Sequence, residues 1–196
     1  MKIMKLLVVV AVGAFLFLGG MTSHAQGNLV KNGNFSESTS DGLPLHWNAH
    51  KSPLQAKGQQ DRKIFLSAPA SLRLENPTEG NRTRFLQNFT TIPGKEYIFS
   101  FYIKGKGISG TGKKIGARAM MLHESGRWIT GGSLDGLWKQ KKGTFNWEKC
   151  EFKFISPPGN GKLRIRLVLL DAKGTVWFDD ISVNEVTKKV KMSEEI

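Results

Sequence analysis

The sequence predicts an all-β fold, a two-sheet β-sandwich of the jelly-roll kind, and three observations lead there. Short runs of apolar/polar alternation recur along the chain. Clusters of Gly, Pro, Asn and Asp separate them, and no stretch holds a helical period for long. Their number and spacing suit two packed antiparallel sheets.

In chain order, residues 1–25 come first and are expected to be removed. Lys2 and Lys5 form a positive start, residues 6–18 an apolar run, and Ser23-His24-Ala25 a small-x-small cleavage signal before Gln26. The apolar run is short for a membrane span. The segment reads as a secretory signal peptide, with a retained anchor as the competing reading. The expected location is therefore secreted, extracellular or periplasmic, with no membrane span after removal. No Cys follows the run to carry a bacterial lipid anchor.

The alternation predicts strands over 71–75, 83–89, 97–104, 114–123, 149–155, 163–170 and 175–183. Period two separates their faces. Leu163, Ile165 and Leu167 point one way and Arg164 and Arg166 the other. Tyr97, Phe99, Phe101 and Ile103 oppose Ser100, Tyr102 and Lys104. Ala117, Ala119 and Met121 oppose Arg118 and Met120; Leu72 and Leu74 oppose Arg73. The apolar sets should meet between the sheets. If the strands neighbour one another, Arg73, Tyr102, Arg118, Arg164 and Arg166 form one basic outer shelf; scattered exposed arginines are the plain alternative.

The closing stretch, residues 174–183, surrounds adjacent Asp179 and Asp180 with apolar and β-branched residues. Carboxylates in such a strand reach solvent, accept hydrogen bonds from a neighbouring loop, or bind a cation. On a regular strand the two should point to opposite faces. No repeat or linker divides the rest, so one domain is expected over 28–186, with a loose tail over 187–196.

Several markers occur in order: an NLVKNGNF opening from Asn28, Pro93-Gly94-Lys95-Glu96-Tyr97, Trp147, Pro157-Pro158-Gly159 and the Trp177-Phe178-Asp179-Asp180 close. On these the stretch 28–186 resembles carbohydrate-binding modules of the CenC type (families four and nine), galactose-binding-domain-like jelly rolls. The resemblance implies a glycan held on a concave sheet face. It also implies a structural calcium tying the opening segment to the closing strand, with Asp179 or Asp180 and Ser36 or Glu37 among its ligands. Ser36 departs from that pattern, standing where an acidic residue is usual, with Glu37 one place late.

Five tryptophans invite a stacking role against sugar rings. The resemblance implies core or edge packing for Trp47 and Trp147, and Trp177, in the closing strand, reads the same way. Trp128 and Trp138 flank a Gly-rich segment between strands, next to Arg127 and Lys139, and are the candidates to stack on a sugar while a cation pairs with its acid group. The net charge is +13, and removing Lys2 and Lys5 leaves +11. Such a balance favours anionic partners, here an acidic or cell-surface polysaccharide. Nucleic acid is not expected, because only the charge speaks for it.

Cys150 is the only cysteine and shares parity with Phe152 and Phe154, as a structural thiol would. His46, His50 and His123 lack metal-ligand spacing, and no nucleophile elbow, zinc motif or phosphate loop occurs. The chain therefore reads as a non-catalytic binding module, working alone or within a larger envelope or enzyme assembly. Two readings compete: a structural or protein-interaction module without a sugar site, and a jelly-roll polysaccharide lyase using Tyr102, Arg118, Arg164, Arg166 and His123.

Overall fold

Alternation becomes architecture in the computed structural model, which describes residues 27–52, 57–112, 115–127, 129 and 140–187. The expected signal peptide, Trp128, Trp138 and tail residues 188–196 lie outside the described residues. Among the described residues nine strands follow in order: β1 (Asn48–Ser52), β2 (Lys57–Asp61), β3 (Ser71–Asn76), β4 (Arg82–Thr90), β5 (Glu96–Ser109), β6 (Gly116–His123), β7 (Gly143–Ile155), β8 (Lys162–Leu170) and β9 (Lys173–Glu185). They form a four-stranded sheet, β1-β4-β8-β6, and a five-stranded sheet, β2-β3-β9-β5-β7. Every pairing is antiparallel. The protein is a β-sandwich of the jelly-roll class. No helix among the described residues is long and apolar enough to cross a membrane.

The predicted face assignments hold. Leu163, Ile165, Leu167 and Leu169 of β8 are fully buried between the sheets, as are Leu72 and Leu74 of β3. Tyr97, Phe99, Phe101 and Ile103 of β5 join them, with Phe101 against Phe152 and Phe178, and Tyr97 stacked on Phe154. Apolar burial of this kind is the main favourable term. Cys150 packs against the same core, and burial pushes its thiol pKa up.

Two strands escaped the sequence pattern. NAHKS and KGQQD carry no apolar alternation, yet both pair along sheet edges, with β4 and β3. An edge strand needs one hydrogen-bonded neighbour and little apolar surface of its own.

The opening segment is bound directly to β9. The Asn28 Nδ2 donates to the Ile181 carbonyl at 3.1 Å, and Val183 N donates to Asn28 Oδ1 at 3.0 Å. Leu29 N donates to Val183 O at 2.9 Å, and Ile181 N to Gly33 O at 2.9 Å. At Gly33 a Cβ would stand 2.1 Å from the Ile181 oxygen, so only glycine permits this approach. On the other side, the Gln87 amide both accepts from Lys31 N and donates to Lys31 O.

Candidate functional site

The expected shelf of five side chains is divided by the topology. Arg118 stands on β6 and Arg164 and Arg166 on β8, in the four-stranded sheet, whereas Arg73 and Tyr102 stand on β3 and β5 of the other. Their outward sides therefore face opposite ways across the sandwich. Arg73 is engaged with Glu75, and Tyr102 sits opposite Lys149 and Asp179. The physical reason is strand order, which period two does not encode. The same division separates Tyr102 from the arginines of the lyase set, while His123 lies on the inward side with Met121.

What the four-stranded sheet does gather is more strongly basic than expected. None of its four strands contains an Asp or Glu. The register puts His50, Arg84, Val168 and Arg118 in one row and Leu86, Arg166 and Met120 in the next, with Asn88, Arg164 and Leu122 beyond. A depression of about 180 Å³ lies here, lined by Arg82, Arg84, Arg118 and Arg166 around Met120, Val168 and Leu170. Arg82 is neutralised at the rim by Asp171, at 2.7 and 3.1 Å. Arg164 Nε donates to Asn88 Oδ1 at 2.8 Å, and Arg84 reaches the His50 ring at 3.2 Å.

Burial, and then the like charges of Arg84, Arg164 and Arg118, hold the Arg166 pKa below the usual guanidinium range; burial does the same to Arg118. The Nε atoms of Arg84 and Arg166 are buried without a hydrogen-bond partner. Arg84 and Arg166, half-buried on strands that contain no Asp or Glu, form an electrostatic sink for an anion. Arg84, His50 and Met120 went unnoticed as site residues. The Arg82-Thr83-Arg84-Phe85 alternation carried the signal for Arg84, since it repeats the Arg164/Arg166 pattern.

The acidic pair is resolved differently from either metal or solvent. A bulge at this point, with φ of +48° at Asp180, breaks the strand alternation, and both carboxylates reach residue 67. Asp179 Oδ2 accepts Leu66 N at 2.8 Å and Ser67 N at 3.0 Å, and its Oδ1 accepts Asp180 N at 2.8 Å. Asp180 accepts the Ser67 hydroxyl. The expectation that the two point to opposite faces is thus corrected. Burial pushes the Asp179 carboxyl up to about 6, against the pull of its three N–H donors.

Three backbone N–H groups take most of the acceptor capacity of the Asp179 carboxylate, leaving one lone pair on Oδ1 for any cation. Ser36, Glu37 and Asp180 do line one groove with Asn34, Tyr102 and Lys149. There, however, the Asn32 amide donates to the Glu37 and Leu45 carbonyls, placing a donor where a cation would need acceptors. Among the described residues no three His, Cys, Asp or Glu converge as a metal requires. Asn28 ties the opening segment to the closing strand through its side-chain amide.

The tryptophans expected to pack do so in two cases. Trp47 is buried, tilted against Phe35 at 5.5 Å with Nε1 donating to Asn32 O at 3.2 Å. Trp177 is buried too, with Nε1 on Asp61 Oδ2 at 2.9 Å. Trp147 is half-buried inside β7, which starts earlier than expected. Arg127 lines a separate depression with His123, Lys162 and Asn160 at the end of the four-stranded sheet.

No family model matches the chain, and no curated protein matches it. Solved structures do. The enzymatically active domain of tailspike protein 4 from bacteriophage CBA120 superposes with a TM-score of 0.60 at 15% identity, over 81% of this chain and 21% of its own. This chain thus spans about a fifth of that protein. The carbohydrate-binding module TmCBM61, solved in complex with β-1,4-galactotriose, gives 0.55 at 16% identity over 82% of this chain and all of its own (100%). A family-four module (CBM4) gives 0.53 at 18% over 80% and 99%. The chain shares the β-sandwich architecture of carbohydrate-binding modules.

Proposed function

We propose that this chain is a non-catalytic carbohydrate-binding module that takes an acidic polysaccharide across the outer face of its four-stranded sheet. The observation that carries the reading is the charge segregation: Arg84, Arg164 and Arg166 share a face whose strands hold no acidic residue. Uronate or sulfate groups would pair with those guanidinium groups and relieve their mutual repulsion. Met120 and Val168 form the apolar floor of the same depression, almost fully buried beneath the arginines. The carbohydrate-binding modules among the structural neighbours support the class, and Trp128 and Trp138 would add stacking to it. The reading includes export through residues 1–25 and one binding domain over 28–186.

Affinity electrophoresis in gels containing polygalacturonate, a sulfated glycan or a neutral xylan tests it. Retardation by the acidic polymers, reduced in Arg84→Ala and Arg166→Ala and weakened by salt, is expected. Equal retardation by xylan, or none by any polymer, would sink the charge-based reading. Appearance of unsaturated uronate would replace it with a lyase.

A further inference from the structure

Three consecutive large apolar side chains, Ile64, Phe65 and Leu66, stand exposed at 37%, 37% and 40% on the turn between β2 and β3. The turn is held rigidly from both sides. Lys63 N and Ile64 N donate to Asp61 Oδ1 at 2.8 and 3.2 Å. Leu66 N and Ser67 N donate to Asp179 Oδ2, and the Ser67 hydroxyl reaches Asp180. Ser71 Oγ closes the far side on Ile64 O at 2.6 Å. Asp61 is itself fixed by the Trp177 indole, and burial notwithstanding, its donors hold its carboxyl pKa below the usual range.

Three acids from two strands therefore fix the backbone on either side of Phe65, and a core of aromatic and aliphatic side chains lies beneath. A turn so well fixed keeps its apolar tip outward, so the tip gains nothing by folding and loses no order on meeting a partner. Around it the charge is positive: Arg62 and Lys63 precede the tip, and residues 62–70 contain no acid. Asp61 Oδ1 and Asp179 Oδ2 accept the turn's own N–H groups, and their second oxygens accept Trp177 Nε1 and Asp180 N. Apolar side chains flanked by cations match an anionic lipid surface, which takes apolar groups below its headgroups without demanding a shaped pocket.

The geometry points to a membrane-docking tip, in which Phe65 and its neighbours enter an anionic lipid surface while Arg62 and Lys63 stay at the headgroups. The basic sheet face plays no part in this contact, so the inference stands apart from the glycan reading.

Vesicle flotation tests it, using residues 26–196, which hold every strand and core side chain described. Two vesicle types are compared, phosphatidylcholine alone and an equimolar mixture with phosphatidylglycerol. The chain is expected to float with the mixed vesicles only. Phe65→Ser and Leu66→Ser should each lower binding about tenfold, the worth of one large apolar group. Lys63→Glu should weaken it and flatten its salt dependence. Ile155→Ser, at a residue 67% exposed elsewhere, should leave it unchanged. Because these side chains are exposed, circular dichroism of each variant should match the parent. The inference fails if the parent does not float, or if Phe65→Ser and Leu66→Ser float equally well. It fails as well if Arg166→Met alone abolishes flotation, which would move lipid binding to the basic face. Self-association lost in Phe65→Ser, without flotation of the parent, would assign the tip to a second copy instead.

Discussion

Asp179 accepts the backbone N–H of Ser67 at 3.0 Å across 112 positions of sequence. With the Leu66 bond on the same oxygen, this fastens the β2–β3 turn to the closing strand. The carboxylate is fully buried, so removing it strands two loop donors.

Asp179→Ala should therefore lower the unfolding free energy by about 3 kcal/mol, the order expected for buried donors left unpaired. Urea unfolding followed by tryptophan fluorescence reads this. A change below the measurement error would mean that water replaces the carboxylate at no cost.

The same group sets a pH dependence. Its carboxyl is pushed up to about 6 from an ordinary value of 3.8. Between those limits the folded chain binds more protons than the unfolded one. The contribution to stability therefore falls as pH rises from about 4 to about 6 and is flat above that, a loss on the order of 3 kcal/mol. Denaturant midpoints at several pH values, compared with Asp179→Asn, should show the parent losing this stability and the variant not.

Asn28 clasps the opening segment to the closing strand. Asn28→Ala removes both side-chain bonds to β9 and one to Val30 N, and should cost about 2 kcal/mol. Thermal unfolding of the parent should be unmoved by added calcium or by chelator. A rise in melting temperature with calcium would restore the ion.

On the basic face, stability and binding should oppose each other. Arg166 is half-buried among like charges, with its Nε unsatisfied. Arg166→Met keeps much of the volume and removes the repulsion, so it should raise stability by about 1 kcal/mol while losing acidic-glycan retardation. Reduced stability together with lost binding would mean that Arg166 is structural.

Cys150 should be slow to modify. Burial raises its thiol pKa, and it packs against the core, so a disulfide reagent should label the native chain far more slowly than the urea-unfolded chain. Equal rates would show the β7 edge to be open.

Reading period two along β3, β5, β6 and β8 was enough to tell inward from outward side chains, because burial imposes that period strand by strand. The aromatic core and the Cys150 environment followed from it, whereas the packing of Trp47 was implied by the family resemblance. Strand order does not leave such a trace. Whether Arg73 and Tyr102 share a face with Arg164 depends on which strands pair, and that is decided by contacts between residues remote in sequence. The polar strands β1 and β2 were invisible for a related reason: their stability comes from hydrogen bonds to one neighbour, not from apolar alternation. The carboxylates of the closing strand could be recognised as needing partners. Only the tertiary structure, through a bulge at Asp180 and a turn carried over by β2 and β3, decided that Asp179 takes backbone N–H groups as those partners. A buried charge must be satisfied, and the sequence names the charge without naming what satisfies it.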